Sequence, residues 1–413
     1  MRYLIIGAGP AGVAAAETLA KADPAGAITV LRGEPGAPYA RMAIPYLLSG
    51  RIRESGTHLH PDPGHYARCG IRLLEGRART VDAQAHSVTL ADGQILAYDR
   101  LLVATGSTPA LQKIPGIDLP GVRTCWTLED ARFLLAHARP GLRVVQMGAG
   151  FVGCIIMQGL VSLGVDLTIL VRSGRMVSRM MNPVASGMLR AWCEAKGVRI
   201  RVDTLPEAIT REQDGLRVHL GPASLPADLY LCLVGVKPAL GFLAGSGVAA
   251  GTGILVDETM RTSVPDIYAC GDVAEFRDCL TGKPAVNAIQ PNAVEQGRIA
   301  ALNMAGRRAT SRGSFAFNVL DTLGLISYSF GSWQGEPGGE HVEVSDPARY
   351  RYLRLEFHED RLVGANTVGL TEHAGVLRGL IEAKVPLGAW KQRLLRDPTL
   401  LMQAYLACSQ KLA

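Results

Sequence analysis

The sequence predicts an α/β fold: two Rossmann-like, three-layer ββα nucleotide-binding domains and a small α+β C-terminal domain. Three observations predict it. Gly7, Gly9 and Gly12 make a G-x-G-x-x-G loop directly after an apolar run. Gly148, Gly150 and Gly153 repeat that loop after a second apolar run. Beyond residue 310 the chain turns to alternating and amphipathic segments with no glycine loop. The 413 residues leave room for two or three domains, and nearly half are hydrophobic, so core is not scarce.

Tyr3–Ile6 reads as a buried parallel strand, and a helix opens immediately after the first loop. Gly7 permits the tight turn, Gly9 admits a pyrophosphate to the backbone, and Gly12 lets helix and strand pack closely. Pro10 and Ala11 complete the phosphate-facing set, where free N–H groups and the positive end of the helix dipole meet an anion. A second apolar run, Ile28–Leu31, leads to Glu34, placed to chelate a ribose. Pro38–Leu48 is interrupted by prolines and should form a short irregular helix or loop against the ligand. Arg41 is its one charge, and a bidentate phosphate contact is expected of it over a purely solvated role.

Ala78–Tyr98 alternates around Asp92-Gly93, a hairpin signal. Leu101–Ala104 is a buried strand, and Ala104, Thr105 and Gly106 turn beneath the ligand. Pro115–Pro120 is a linker, and Leu128–Ala138 is a helix. Arg143–Met147 is then the strand, Gly148–Gly153 the loop with Phe151 and Val152 inside it, and Cys154–Leu163 the helix. The uncharged stretch Val144–Val165 is long enough for a bilayer, but its glycines and two glutamines read as a buried strand–turn–helix. Leu167–Val171 is the next strand. An acid would normally end it and hold a ribose; Arg172 stands there, with Arg175 and Arg179 close by. An arginine there can accommodate a 2′-phosphate, so NADP(H) and NAD(H) both stay open. Asp228–Pro238 is a strand ending in a turn. Gly253–Asp257 starts the return, and Thr262–Asp272 is a loop and strand ending in Gly271-Asp272. Asp272 is expected to accept hydrogen bonds from ligand hydroxyls with a helix beginning after it. Asn287–Asn303 reads as a helix, on which Gln290 is a further candidate binding residue. In the C-terminal part, Tyr350–Phe357 and Leu362–Thr367 form a hairpin about Glu359-Asp360. Ala374–Ala383 and Leu387–Leu395 are amphipathic helices, and Pro398 begins the last one. This part carries no evident chemistry and reads as a packing or interface module.

The net charge of +6 is spread out with no basic run, which argues against nucleic acid. The eight cysteines include no C-x-x-C pair, so zinc and iron–sulfur sites find no clustered spacing, and reduced buried thiols in a cytoplasmic protein are expected. No signal peptide and no membrane span are expected. No metal ligand and no protein acid or base are assigned.

In order and spacing, the first glycine loop, Ala104-Thr105-Gly106, the second glycine loop and Tyr268-Ala-Cys-Gly-Asp272 resemble the pyridine nucleotide–disulfide oxidoreductase flavoproteins over nearly the whole chain. The resemblance implies FAD on the first loop and the Gly271-Asp272 turn, and NAD(H) or NADP(H) on the second loop. It divides the chain into a discontinuous FAD-binding domain (1–115 and 250–310), an inserted NAD(P)-binding domain (116–249) and a C-terminal interface domain (311–413). The C-x-x-x-x-C pair and His–Glu pair of the disulfide reductases are missing. Met42 falls where NADH oxidases and coenzyme A disulfide reductases carry a single redox cysteine, and a thioether forms neither thiolate nor mixed disulfide.

Pro38-Tyr39 and Arg41 look like the ferredoxin and rubredoxin reductases, although the lysine those carry near the flavin is missing. Leu377–Ile381, Asp397-Pro398 and Ala404–Leu406 look like the FAD subunits of multisubunit oxidoreductases such as phenylglyoxylate dehydrogenase and tungsten aldehyde oxidoreductase complexes. The implied activity is an FAD-dependent NAD(P)H oxidoreductase exchanging electrons with a protein electron carrier or an iron–sulfur partner subunit. The C-terminal domain would form a homodimer or hetero-oligomer. A stand-alone NAD(P)H oxidase using oxygen, and a flavoprotein with a sensing role, are the alternatives.

Overall fold

A computed structural model describes residues 1–409. Two strand–turn–helix–strand units recur in it: β1 (Arg2–Ile6), α1 (Pro10–Ala22) and β2 (Ala27–Arg32), then β3 (Arg143–Met147), α2 (Phe151–Ser162) and β4 (Asp166–Leu170). The chain forms two compact units, one of residues 1–44, 52–108 and 236–315, the other of 45–51, 109–235 and 316–413.

In the first unit five parallel strands lie in the order 267–269, 100–103, β1, β2, 71–75. The period of two in β1 sorts its side chains onto two faces. Tyr3 and Ile5 pack against Val13, Ala16 and Leu19 of α1 and Ile299 and Ala300 of the helix Gln290–Met304. Leu4 and Ile6 pack against Val81, Val88 and Leu90 of the antiparallel meander 78–97. This sandwich of helices, parallel sheet and small antiparallel sheet is the expected three-layer arrangement. The helix Gln290–Met304 approaches α1 very closely, because a Cβ on Gly297 would lie 2.3 Å from the Ala11 carbonyl oxygen.

The second unit repeats the plan. Its parallel sheet runs 199–201, β4, β3, 229–232, 122–123. Val145 and Met147 pack on Ile209, Leu216 and Val218 of a three-stranded antiparallel sheet. Residues 317–368 add a five-stranded antiparallel sheet in the order 317–322, 325–331, 361–368, 351–358, 340–346. Asn182 ties it to the nucleotide-binding part: its backbone N–H donates to Asn366 Oδ1 at 2.9 Å and its Nδ2 to the Tyr352 hydroxyl at 2.5 Å.

Several boundaries differ from the sequence expectation. α2 begins at Phe151, not Cys154, since Gly150 already serves as its N-cap. No helix follows Asp272 directly: a 3-10 turn, Gly271–Val273, leads into the strand Ala274–Arg277, which pairs with strands 254–255 and 284–285. The following helix starts at Gln290 rather than Asn287. The Asn287 side chain is instead engaged in the loop, donating to Asp278 Oδ2 at 3.0 Å and Ser314 Oγ at 2.8 Å. The last helix begins at Leu401, because Asp397 holds residues 397–399 in a side-chain-capped turn through the Thr399 N–H and hydroxyl. No helix among the described residues is long and apolar enough to cross a membrane.

Candidate cofactor sites

The two glycine loops have nearly the same backbone. Gly7 has φ +116° and Gly148 φ +109°, the region that favours glycine. A Cβ on Gly7 would lie 2.2 Å from the Ala104 carbonyl oxygen, and one on Gly148 2.2 Å from that of Leu233. A Cβ on Gly12 would lie 2.0 Å from the Gly7 carbonyl oxygen, and one on Gly153 2.3 Å from that of Gly148. The middle glycines behave in the opposite way: nothing lies within 4 Å of a Cβ built on Gly9 or Gly150. Outer glycines therefore serve the fold, and middle glycines face open space at a helix N-terminus. Pro10 and Ala11 open α1, Phe151 and Val152 open α2, and neither helix has a side-chain N-cap. Such an uncapped start presents unpaired N–H groups to an anion.

Around the first loop the structure gathers Glu34, Tyr39 and Arg41. The Tyr39 hydroxyl donates to Glu34 Oε2 at 2.5 Å, Arg41 forms an ion pair with Glu34 Oε1, and Arg41 Nη1 donates to the Tyr39 hydroxyl at 3.0 Å. Arg41 is thus held by the acid expected to bind ribose. The strand Arg100–Val103 ends beside β1 and delivers Ala104, whose carbonyl abuts Gly7. Thr105 Oγ1 donates to the Ala239 carbonyl at 3.2 Å, and Gly106 adopts φ +66°.

Asp272 accepts from the Ser107 hydroxyl at 3.2 Å. Burial pushes its carboxyl above the usual range, and the Ser107 hydrogen bond and Arg41 charge only partly counter this. A carboxylate so placed is short of donors, and a polyol ligand supplies them. Gln290 opens the helix that follows.

One residue was missed from sequence. Gln296 is buried, and its Oε1 accepts from the Gly271 backbone N–H at 2.8 Å, fixing the turn that carries Asp272. The signal was an amide among alanines and glycines on a packed helix, a polar group that burial obliges to find a partner.

In the second loop Gln146 is fully buried and donates from Nε2 to the Gly148 and Gly153 carbonyls at 2.8 and 3.0 Å. Arg172, just past β4, is exposed, as is Arg179. Arg175 is half-buried, and its Nε is buried with no hydrogen-bond partner. Met42 lies exposed in the 3-10 turn Arg41–Ala43. All eight cysteines are free, and six are buried. Burial raises the thiols of Cys125, Cys154 and Cys270 far above the ordinary range and that of Cys193 to about 12, which makes them inert.

Comparison with known proteins gives the family and the fold. Residues 1–302 match the family described as pyridine nucleotide-disulphide oxidoreductase. The chain is 32% identical to the NADH-dependent phenylglyoxylate dehydrogenase subunit epsilon of Aromatoleum evansii, over 96% of this chain and 95% of that one. It is 28% identical to a rubredoxin-NAD(+) reductase of Pseudomonas putida, over 92% and 99% of the two chains. Among solved structures, the covalent putidaredoxin reductase–putidaredoxin complex superposes with a TM-score of 0.90 at 24% identity, covering 99% of both chains, which establishes the fold.

Proposed function

The chain belongs to the pyridine nucleotide-disulphide oxidoreductase family, and on that premise we propose how its two cradles divide the work. It is a flavoprotein oxidoreductase that uses FAD and a nicotinamide nucleotide and passes electrons between that nucleotide and a protein acceptor or donor. FAD is assigned to the first cradle: Gly7, Gly9, Pro10, Ala11 and Gly12 at the pyrophosphate, Glu34 at the ribose with Arg41 beside it, Ala104–Gly106 beneath, and Gly271-Asp272 at ligand hydroxyls. Gln290 completes this set from the following helix. The nicotinamide nucleotide is assigned to Gly148, Gly150, Phe151, Val152 and Gly153, with Arg172 at the adenosine ribose. The observation that carries the assignment is the open space at Gly9 and Gly150 between glycines that the backbone itself fills.

Held in the first cradle, FAD would supply the exchange between a two-electron nicotinamide hydride and a one-electron carrier. The chain's own residues bind and orient: helix N-termini hold the phosphates, and the half-buried Asp272, on a turn fixed by Gln296, takes hydroxyl donors. No protein acid, base or thiol is needed, which fits Met42 at the position of the family's redox cysteine. The partner is proposed to be an iron–sulfur or rubredoxin-type carrier or subunit, as the names of the two relatives suggest. NADH is proposed as the preferred nucleotide on the same ground, with Arg172 lending tolerance to a 2′-phosphate. The domain limits 1–115 with 250–310, 116–249 and 311–413, the interface role of the last and a cytoplasmic location belong to this reading.

Gly9→Val tests the first assignment: the protein should fold and lack FAD, and a fully loaded yellow variant would refute it. Rapid-mixing kinetics test the second half. After NADH reduces the flavin, an iron–sulfur carrier should reoxidise it faster than dissolved oxygen does. The reverse order would replace this reading with the oxidase one.

A further inference from the structure

The first unit holds a second cluster that the proposed chemistry does not use. Glu17 projects from the middle of α1, His60 from a later loop, and His65, 48 residues beyond Glu17, from the short helix His65–Arg68. Nε2 of His60 lies 2.5 Å from Glu17 Oε1, and Nε2 of His65 lies 2.9 Å from the same oxygen. The two imidazoles stack with centroids 3.6 Å apart and 12° between their planes. The buried Tyr66 ring stands edge-on to both, at 5.6 and 5.3 Å, and fixes their orientation. Cys69, one turn beyond His65, places its Sγ 3.9 Å from His65 Nε2. Ligand atoms of Glu17, His60 and His65 all fall within 4.8 Å of one another, the one such group among the described residues.

A simple hydrogen bond accounts for one imidazole on a carboxylate oxygen. A carboxylate oxygen can accept from two such donors, but the cluster is set apart by two stacked imidazoles and a carboxylate whose ligand atoms lie within 4.8 Å of one another. One cation between them uses all three ligand atoms once the two rings tilt out of their stack to aim at it. Zinc–nitrogen and zinc–oxygen bonds are about 2.0–2.2 Å, so tetrahedral ligand atoms sit roughly 3.3–3.5 Å apart. The observed spacings need to open by less than about 1 Å to reach that. The donors are two imidazoles and a carboxylate. That mixture suits zinc and is foreign to magnesium and calcium, which take oxygen sets. The side chains of His60, His65 and Glu17 are 29%, 25% and 27% exposed, so an ion can enter from solvent.

We propose that Glu17, His60 and His65 bind one Zn²⁺, with water in the fourth position. The site clamps α1, whose N-terminus carries the first glycine loop, to the 58–69 segment. Its role is structural, because it joins two segments of the first unit and zinc brings no redox chemistry.

The test uses the flavin-loaded protein, stripped with a chelator and dialysed, then titrated with ZnCl₂. One Zn²⁺ per chain should bind, and the thermal midpoint should rise with zinc concentration. A His60→Gln/His65→Gln double variant should keep its FAD and its zinc-free midpoint while losing zinc affinity by at least about 10–100-fold. Equal zinc affinity in the parent and the double variant would overturn the site. So would a parent midpoint that zinc does not move, or that MgCl₂ moves equally. These readouts do not depend on turnover or on the electron acceptor, so the site and the proposed function fail independently.

Discussion

The loops at Gly7–Gly12 and Gly148–Gly153 are two builds of one device, and their differences say more than their likeness. The backbones agree: the N-cap glycines Gly9 and Gly150 have φ/ψ of −80°/−176° and −78°/−168°. Two side chains differ. Where the first loop has the apolar Ile5 beneath Gly12, the second has Gln146 beneath Gly153. Beyond the second strand of each unit, the first has Glu34 engaged by Tyr39 and Arg41, and the second has the exposed Arg172. Phosphate recognition is thus written in backbone and shared by both loops. Discrimination between nucleotides is written in a few side chains, and that is where the two loops diverge.

The strongest way to break the comparison is to add a methyl group at matched glycines. Gly12→Ala and Gly153→Ala each drive a Cβ into a carbonyl oxygen that the strand cannot withdraw. Each should destabilise its unit by about 3 kcal/mol or more, read from denaturant midpoints. Gly9→Ala and Gly150→Ala meet open space and should leave stability within about 0.5 kcal/mol, while interfering with ligand. If Gly12→Ala and Gly9→Ala cost the same, the division between structural and ligand-facing glycines is wrong.

That division was legible in the sequence because glycine spacing reports backbone directly. The strands Tyr3–Ile6, Ile28–Leu31 and Arg143–Met147 were legible because parallel strands are continuous apolar runs. Features depending on contacts distant in sequence were not. Ile71–Glu75 pairs with β2 across the intervening residues 33–70, whose only regular elements are short helical turns, and shows no clear period in its own sequence. The strand after Asp272 looked like a helix start because its partners at 254–255 and 284–285 are set by tertiary pairing. The ion pair between Arg41 and Glu34, two residues each singled out for a ligand, was also not named from sequence. The pairing of His60 and His65 with Glu17 is invisible to any spacing rule.

Asp272 sharpens the comparison next, since the described second loop pairs with no turn of this kind among the assigned residues. Burial raises its carboxyl above the ordinary value. The sign follows: the ionised form is disfavoured in the folded state. FAD-free protein should therefore gain stability as the pH falls through the folded pKa, and the gain should level off and be kept once the pH lies below the unfolded value. Asp272→Asn removes this dependence and should stabilise FAD-free protein at neutral pH. It should also weaken FAD binding by about 10–100-fold, the cost of a charged hydrogen-bond acceptor. A variant with unchanged FAD affinity would remove Asp272 from the site.

Arg172 decides how different the second loop is. If its guanidinium meets a 2′-phosphate, Arg172→Ala should lower kcat/KM for NADPH by about tenfold and leave that for NADH within about twofold. Equal losses with both nucleotides would assign Arg172 to a contact that ignores the 2′ position, and preference would have to come from elsewhere in the second unit.

The smallest effect concerns Gln146, and it asks whether the second loop can be rebuilt as the first. Its Nε2 makes two hydrogen bonds, yet its Oε1 is buried without a partner. Gln146→Ile, which copies Ile5, gives up two neutral hydrogen bonds worth about 0.5–1.5 kcal/mol each and removes an orphaned acceptor costing about 1–3 kcal/mol. The terms nearly cancel, so unfolding free energy should change by less than about 1 kcal/mol. A loss above about 2 kcal/mol would show that the second loop depends on its glutamine brace. The two cradles would then share a backbone shape while reaching it by different means, one through apolar packing and the other through a side-chain amide.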